Sequence, residues 1–200
     1  MQALITLGVR HFRFVDDNFT LHPMFESLCD AMKDLNIRYR CHTRSNLLSP
    51  KRAQLLKLSG CEECSIGVES ADPLVLTINN KGETPEDHKQ AVQLLHEAGL
   101  RCKVYLIMGL PGETDKTVEL NKTFMSEVKP EKWTLATFTP YPGSAVFDRP
   151  GAFNCEITNF DWSKWWNFCE NSYNHILIGQ KPAQMWRRYT EFYSWLKSEV

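Results

Sequence analysis

Short apolar, β-branched or aromatic runs alternate along this chain with segments whose apolar residues recur every three to four positions. The runs are HFRFV (11–15), RYRCH (38–42), CSIGV (64–68), KVYLIM (103–108) and TLATF (134–138), and each predicts a strand. Between them, PMFESLCDAMKDL puts Phe25, Leu28, Cys29, Met32 and Leu35 on one helical face. SPKRAQLLKLSG starts with Ser49 as N-cap, has Pro50 at the first helical position and stops at Gly60. TPEDHKQAVQLLHEAGL repeats that grammar with Thr84, Pro85 and Gly99, and its apolar stripe is Ala91, Leu94, Leu95 and Ala98. ETDKTVELNKTFMSEV predicts a fourth helix. Near the start, ALITLGV reads as the second half of a helix running straight into the first strand. A strand is expected before it, so the chain is expected to begin inside a longer gene product.

Strand and helix alternating about four times predict an α/β fold with parallel strands and right-handed crossovers. Five strands suit part of a barrel or an open sheet; a length of 200 residues excludes a closed eight-unit barrel. The pattern changes near residue 151. The tail carries Trp162, Trp165, Trp166, Trp186 and Trp195 with Phe and Tyr between them, and PAQMWRRYTEFYSWLKSEV predicts a final helix. The expected organisation is a partial barrel over 1–150 and an aromatic-rich extension over 151–200 packed on it, with an aromatic substrate wall as the second reading.

Charge narrows the classes. With 23 basic and 24 acidic residues and no basic block, nucleic-acid binding has no electrostatic support. No apolar run reaches the roughly 20 residues of a membrane helix, and no secretory signal opens the chain. Seven cysteines, mostly scattered singly, argue for a reducing, cytoplasmic compartment and for several buried thiols.

Ligands of parallel α/β folds bind at the carboxyl ends of strands. Here those ends read Asp16-Asp17-Asn18, then His42, Arg44 and Asn46, then Glu69-Ser70, then Gly109, Pro111 and Gly112, then Thr139, Tyr141 and Gly143. Carboxylates accept from an ammonium or a ribose diol, Arg44 is suited to a carboxylate, and Gly-rich ends expose backbone to a flat heterocycle. The set suits a zwitterionic, ribose-bearing ligand. GLPGET lacks the Lys-Ser/Thr of a Walker motif and reads as a strand-to-helix turn capped by Glu113 or Thr114. His42 reads as a satisfied strand-end histidine, or else as a base or metal ligand. His88 and His96 fall on a helix expected to be half solvated and carry no assignment.

FRFVDDNF, CHTRSNLLS, GCEECSIGVES, GLRCKVYLIMGLPGET and FTPYPGS, in this order, resemble successive strand motifs of the radical S-adenosylmethionine (SAM) enzymes over about residues 8–147. The tail, with FDWSKW and EFYSWL, resembles members that carry an upstream cobalamin-binding domain. The resemblance implies a partial (β/α)6 TIM-type barrel, here truncated at its N-terminal strand. It implies SAM on a four-iron, four-sulfur (4Fe-4S) cluster, reductive cleavage of SAM, and hydrogen abstraction or methyl transfer on a small-molecule substrate. The electron donor would be a flavodoxin or a ferredoxin. Motif by motif, Asp16 and Asp17 fall where the family holds the methionine amino group. Arg44, Glu69 and Ser70 fall where it contacts carboxylate and ribose. Met108, Gly109 and Leu110, with Thr139, Pro140 and Tyr141, fall near the adenine.

The family's Cys-x3-Cys-x2-Cys ligand run is missing from the sequence and would lie upstream of Met1. Cys61 and Cys64 form the only close pair, open to three readings: packing, a redox or disulfide pair, or metal. The expectation is therefore the SAM-binding core of a radical SAM enzyme, inactive as this chain alone. Its parent would be a cobalamin-dependent methyltransferase or a related rearranging enzyme. Self-association through the open barrel edge at the first strand is also expected. The rivals are a barrel hydrolase or lyase holding a divalent ion on Asp16, Asp17, His42 and Glu69, and a non-catalytic degenerate barrel.

Overall fold

The computed structural model describes residues 1–168 and 173–200. Its elements run α1 (Gln2–Thr6), β1 (His11–Arg13), α2 (Phe25–Met32), β2 (Arg38–Thr43), α3 (Pro50–Leu58), β3 (Cys61–Glu69), α4 (Pro73–Ile78) and α5 (Pro85–Glu97). Then come β4 (Arg101–Met108), α6 (Asp115–Val128), β5 (Lys132–Thr137), α7 (Ala145–Asp148), β6 (Cys155–Ile157), β7 (His175–Leu177) and α8 (Pro182–Glu199). The first five strands form one sheet in the order β1-β2-β3-β4-β5. They are parallel, and each crossover carries helix, as parallel neighbours require. The fold is α/β, with a half-barrel open at β1 and β5, the expected partial barrel.

The strands differ from the sequence expectation at their ends. β1 stops at Arg13, because Val15, Asp16 and Asp17 are exposed and leave the ladder. β3 begins at Cys61, three residues early, since Cys61 pairs with Tyr39 and Glu63 with Arg40 across a register shift that passes over Glu62. The helix grammar holds: Ser49 Oγ accepts from the Arg52 amide at 3.3 Å, with Pro50 first in α3. At α6 the cap is Thr114, whose amide donates to Thr117 Oγ1 at 3.0 Å. α4 carries the same signal as α3: Asp72 Oδ1 accepts from the Leu74 amide at 3.0 Å and Pro73 follows the cap.

The chain divides into two compact units. The first comprises Met1–Val68, Glu86–Val104 and Pro130–Trp133. Its core is aromatic and thiol-rich. Phe14, Phe19 and Tyr39 meet with ring centroids 4.6–5.8 Å apart. Cys29, Cys41, Cys61, Cys64 and Cys102 are all buried. Cys41 Sγ lies 3.9 Å from both Cys61 Sγ and Cys64 Sγ, so the close pair of the sequence belongs to a packed thiol cluster. Hydrogen bonding to Cys61 and Cys64, together with burial, pushes the Cys41 thiol well up. His88, expected on a half-solvated helix face, is fully buried, and its Nδ1 lies 2.7 Å from Ser45 Oγ. The α5 stripe that includes Ala91 and Leu95 is broad enough to enclose it.

The second unit comprises Glu69–Pro85, Tyr105–Lys129 and Thr134–Val200. Here the tail forms structure that the sequence pattern did not announce: β6 and β7 pair antiparallel, Cys155 opposite Leu177. Val146, Cys155, Tyr173, Leu177 and Met185 make its cluster, with Phe138, Phe153 and Trp186 against them. The tail aromatics divide: Trp165 and Phe192 are buried, whereas Phe160, Trp162 and Trp166 stay more than half exposed. Along α8, Met185, Arg188, Phe192 and Leu196 form the buried stripe. Cys169 lies outside the described residues. Among the described residues no helix is long and apolar enough to cross a membrane.

Candidate functional site

β3 ends in Glu69, which adopts φ +63°. Only glycine visits that region freely, so the conformation costs about 1–3 kcal/mol and marks a position held for a reason. The carboxylate lines a cavity of about 520 Å³ in the second unit. Its walls are apolar, from Val75, Leu76, Ile107, Leu110, Phe138 and Val146, and its polar groups come from Glu69, Asn79, Asn80, Lys81 and Ser144. Lys81 Nζ lies 3.4 Å from Glu69 and 3.5 Å from the buried Glu83. Burial pushes the Glu69 carboxyl up, with Lys81 opposing. The α4 segment thus supplies a cation and two amides that the sequence reading missed; the Asp72-Pro73 cap signal was the available clue.

The neighbouring Gly-rich turn is built on backbone groups held from both sides. The Gly109 amide donates to Glu113 Oε2 at 2.6 Å. Its carbonyl faces His175 Nε2 at 2.7 Å. Gly109 has φ +88°, and a Cβ there would overlap the Tyr173 ring. Glu113 in turn accepts from Arg188 Nε at 3.0 Å, with both side chains buried. Arg188 also reaches Asp115 Oδ1 at 3.3 Å and the Gln180 side chain. Glu113 was read from sequence only as a candidate helix cap, a place that Thr114 takes, and His175 and Arg188 were not read from sequence. For His175 and Arg188 no local signal exists, since each lies over 60 residues from the turn it holds.

The other sequence-expected residues of this unit fall as follows. Ser70 is buried, its Oγ accepting from the Asp72 amide at 3.1 Å. Met108 turns its side chain into the helix layer, 3.9 Å from Asn121 Nδ2, and its carbonyl accepts from the Phe138 amide at 2.8 Å. Leu110 lines the cavity with Glu69. Thr139 and Pro140 are buried; Thr139 Oγ1 donates to the Trp166 carbonyl at 3.1 Å. Tyr141 is exposed, its hydroxyl 3.0 Å from Asn167 Oδ1.

In the first unit, Asp16 and Asp17 follow β1 on an exposed loop and line an open depression with Val15, Asn18, Leu21 and His22. Asp16 Oδ1 accepts from the Asn18 amide at 2.9 Å, an Asx turn that fixes the loop. Arg44 is half-buried just past β2. His42, on β2, has its pKa pulled down by burial and then by Arg13, with Asp17 opposing. Among the described residues no group of three His, Cys, Asp or Glu is arranged to hold a metal ion. The divalent-ion rival therefore has no centre among them.

Comparison with known proteins assigns the family. Residues 1–124 match the model of the radical SAM superfamily. The chain is 31% identical over 157 residues to the bacteriochlorophyllide d C-12(1)-methyltransferase of Chlorobaculum tepidum, covering 77% of this chain and 34% of that protein. It is 30% identical over 182 residues to the anaerobic magnesium-protoporphyrin IX monomethyl ester cyclase of Rubrivivax gelatinosus, covering 88% and 31%. This chain therefore spans about a third of the length of these relatives. A solved radical SAM methyltransferase, TsrM from Kitasatospora setae with cobalamin and a [4Fe-4S] cluster bound, shares the fold at TM-score 0.61 and 22% identity, over 68% of this chain and 29% of that one. The family match covers well over half the chain and agrees with its parallel half-barrel, so the chain belongs to the radical SAM superfamily.

Proposed function

We propose that this chain is the SAM-binding core of a radical SAM enzyme and that the adenosine end of SAM occupies the cavity bounded by Glu69. The observation that carries the reading is the Glu69 carboxylate, held at φ +63° on the wall of a mostly apolar cavity of about 520 Å³. A carboxylate accepts from a ribose diol, and apolar walls such as Ile107, Leu110 and Phe138 suit a flat base. Lys81 keeps the carboxylate oriented, and the Gly109 clamp fixes the turn that carries Leu110. In this superfamily bound SAM supplies the radical or the methyl group. The parent activity we infer is methyl transfer or ring formation on a larger substrate, with cobalamin as a further cofactor, following the names of the relatives.

The cysteines of this chain do not fit the superfamily's iron-sulfur cluster. The sequence has no Cys-x3-Cys-x2-Cys run, and Cys29, Cys41, Cys61, Cys64, Cys102 and Cys155 are buried core residues. The chain by itself is thus read as a SAM-binding body without the parent's redox chemistry.

NMR titration against SAM and against ATP tests the proposal. The expected result is weak, saturable SAM binding near 1 mM, about 4 kcal/mol, with shifts at Leu110 and Phe138. Glu69→Gln should weaken it about tenfold, as loss of a charge-assisted hydrogen bond does. Equal affinity for SAM and ATP, or no effect of Glu69→Gln, would overturn it.

A further inference from the structure

The first unit carries a second cavity, of about 310 Å³, at the amino ends of β2, β3, β4 and β5, with the whole of β1 along it. Barrel strands normally turn branched apolar side chains inward. Here the wall is cationic: Arg13, Arg38, Arg40, Arg101 and Lys132 line it, against two carboxylates, Glu62 and Glu63. Five fixed positive charges face two negative ones, a formal excess of three.

The carboxylates are already engaged. Glu62 takes Arg38 at 2.9 Å and Arg101 at 3.6 Å. Glu63, nearly buried, takes Lys132 at 2.6 Å. Arg40 is in register with Glu63 on one side and with Arg13 on the other. With Glu63 committed to Lys132, the pair Arg13 and Arg40 stands side by side across parallel strands, and neither forms an ion pair among the described residues. Like charges directly opposite one another on a sheet are destabilising. His42, the next position on that face of β2, is pulled down first by burial and then by Arg13, with smaller parts from Lys103 and Arg40 and with Asp17 opposing. Two adjacent guanidinium forks on a concave, partly enclosed surface match the planar oxygens of carboxylates and phosphates.

We infer that this cavity is a binding site for a small polyanion, a molecule presenting two or more carboxylate or phosphate groups, and that Arg13 and Arg40 are its recognition pair. The site shares no lining residue with the Glu69 cavity and does not depend on SAM, so it stands or fails independently of the proposed function.

Calorimetric titration of this chain, without SAM, tests the inference with two probes, pyrophosphate and tricarballylate, at low salt and at 0.5 M salt. The expected result is saturable one-to-one binding of at least one probe, weakened by salt. Tighter pyrophosphate binding assigns phosphate as the recognised group; tighter tricarballylate binding assigns carboxylate. Arg13→Gln and Arg40→Gln, both surface changes, should each weaken binding about tenfold. Lys51→Gln, which removes an exposed cation paired with Glu26 on another surface, should leave it unchanged. No saturable binding of either probe, or equal losses in Lys51→Gln and Arg40→Gln, would overturn the inference. So would a single-stranded oligonucleotide that outcompetes both probes, since that would mark an extended phosphate-tracking surface.

Discussion

The Nε2 nitrogen of His175 lies 2.7 Å from the carbonyl oxygen of Gly109. A carbonyl only accepts, so Nε2 holds the proton and the ring is the Nε2–H tautomer. Nδ1 is buried without a hydrogen-bond partner, and burial pulls the pKa down to about 4, so the ring is neutral near pH 7. His175→Ala removes the donor and leaves a void beneath the turn. The expected loss is about 2–4 kcal/mol, read as a lower urea midpoint with an unchanged slope.

The same turn carries two opposite pH dependences. His175 titrates at about 4 when folded, below its ordinary 6.5. The unfolded chain takes the proton first, so this contribution is lost as pH falls from 6.5 towards 4. Burial pushes Glu113 up to about 7 from its ordinary 4.5, against the Gly109 amide and Arg188. The folded chain keeps a proton that the unfolded chain releases, so this contribution is full below 4.5 and lost as pH rises to 7. Between 4.5 and 6.5 the two slopes oppose, each at most about 1.4 kcal/mol per pH unit. Relative to the parent chain, Glu113→Gln should gain stability with rising pH in that window, and His175→Ala should lose it. Urea unfolding at pH 4.5, 5.5 and 6.5 reads both slopes; slopes of the same sign would refute the assignment.

Arg188 sits in the buried stripe of α8 with its guanidinium on Glu113. Arg188→Met strands that carboxylate and should cost about 3–5 kcal/mol. The double change Arg188→Met with Glu113→Leu removes both charges and should recover most of the loss. The difference between single and double variants in thermal unfolding isolates the stranded charge.

Gly109→Ala and Gly143→Ala separate backbone strain from collision. Both positions have left-handed φ, +88° and +85°, but only Gly109 has a ring where the new methyl would go. Gly143→Ala should cost about 1 kcal/mol from the backbone alone. Gly109→Ala should cost at least about 2 kcal/mol more, because the Tyr173 ring has to move. Equal losses would mean that the ring yields freely.

What the sequence determined by itself was local and periodic. Apolar runs of period two and helices of period 3.6 gave the five parallel strands in order. Ser49 with Pro50 and the left-handed Gly60 and Gly99 gave the ends of α3 and α5, because capping and positive φ are settled within a few residues. The polar strand ends gave Glu69 and the family resemblance gave Leu110, and the structure has both lining one cavity. Tertiary structure decided the rest. That Arg188 and His175 hold the Gly109 turn, that β6 pairs with β7, and that Glu63 chooses Lys132 over Arg40 all depend on chain returning from far along the sequence. A buried charge is tolerated only where a partner arrives, and a like-charge strand pair becomes visible only once register is fixed. Neither leaves a periodic trace, so neither Arg188 nor the Arg13–Arg40 pair stands out until the chain is folded.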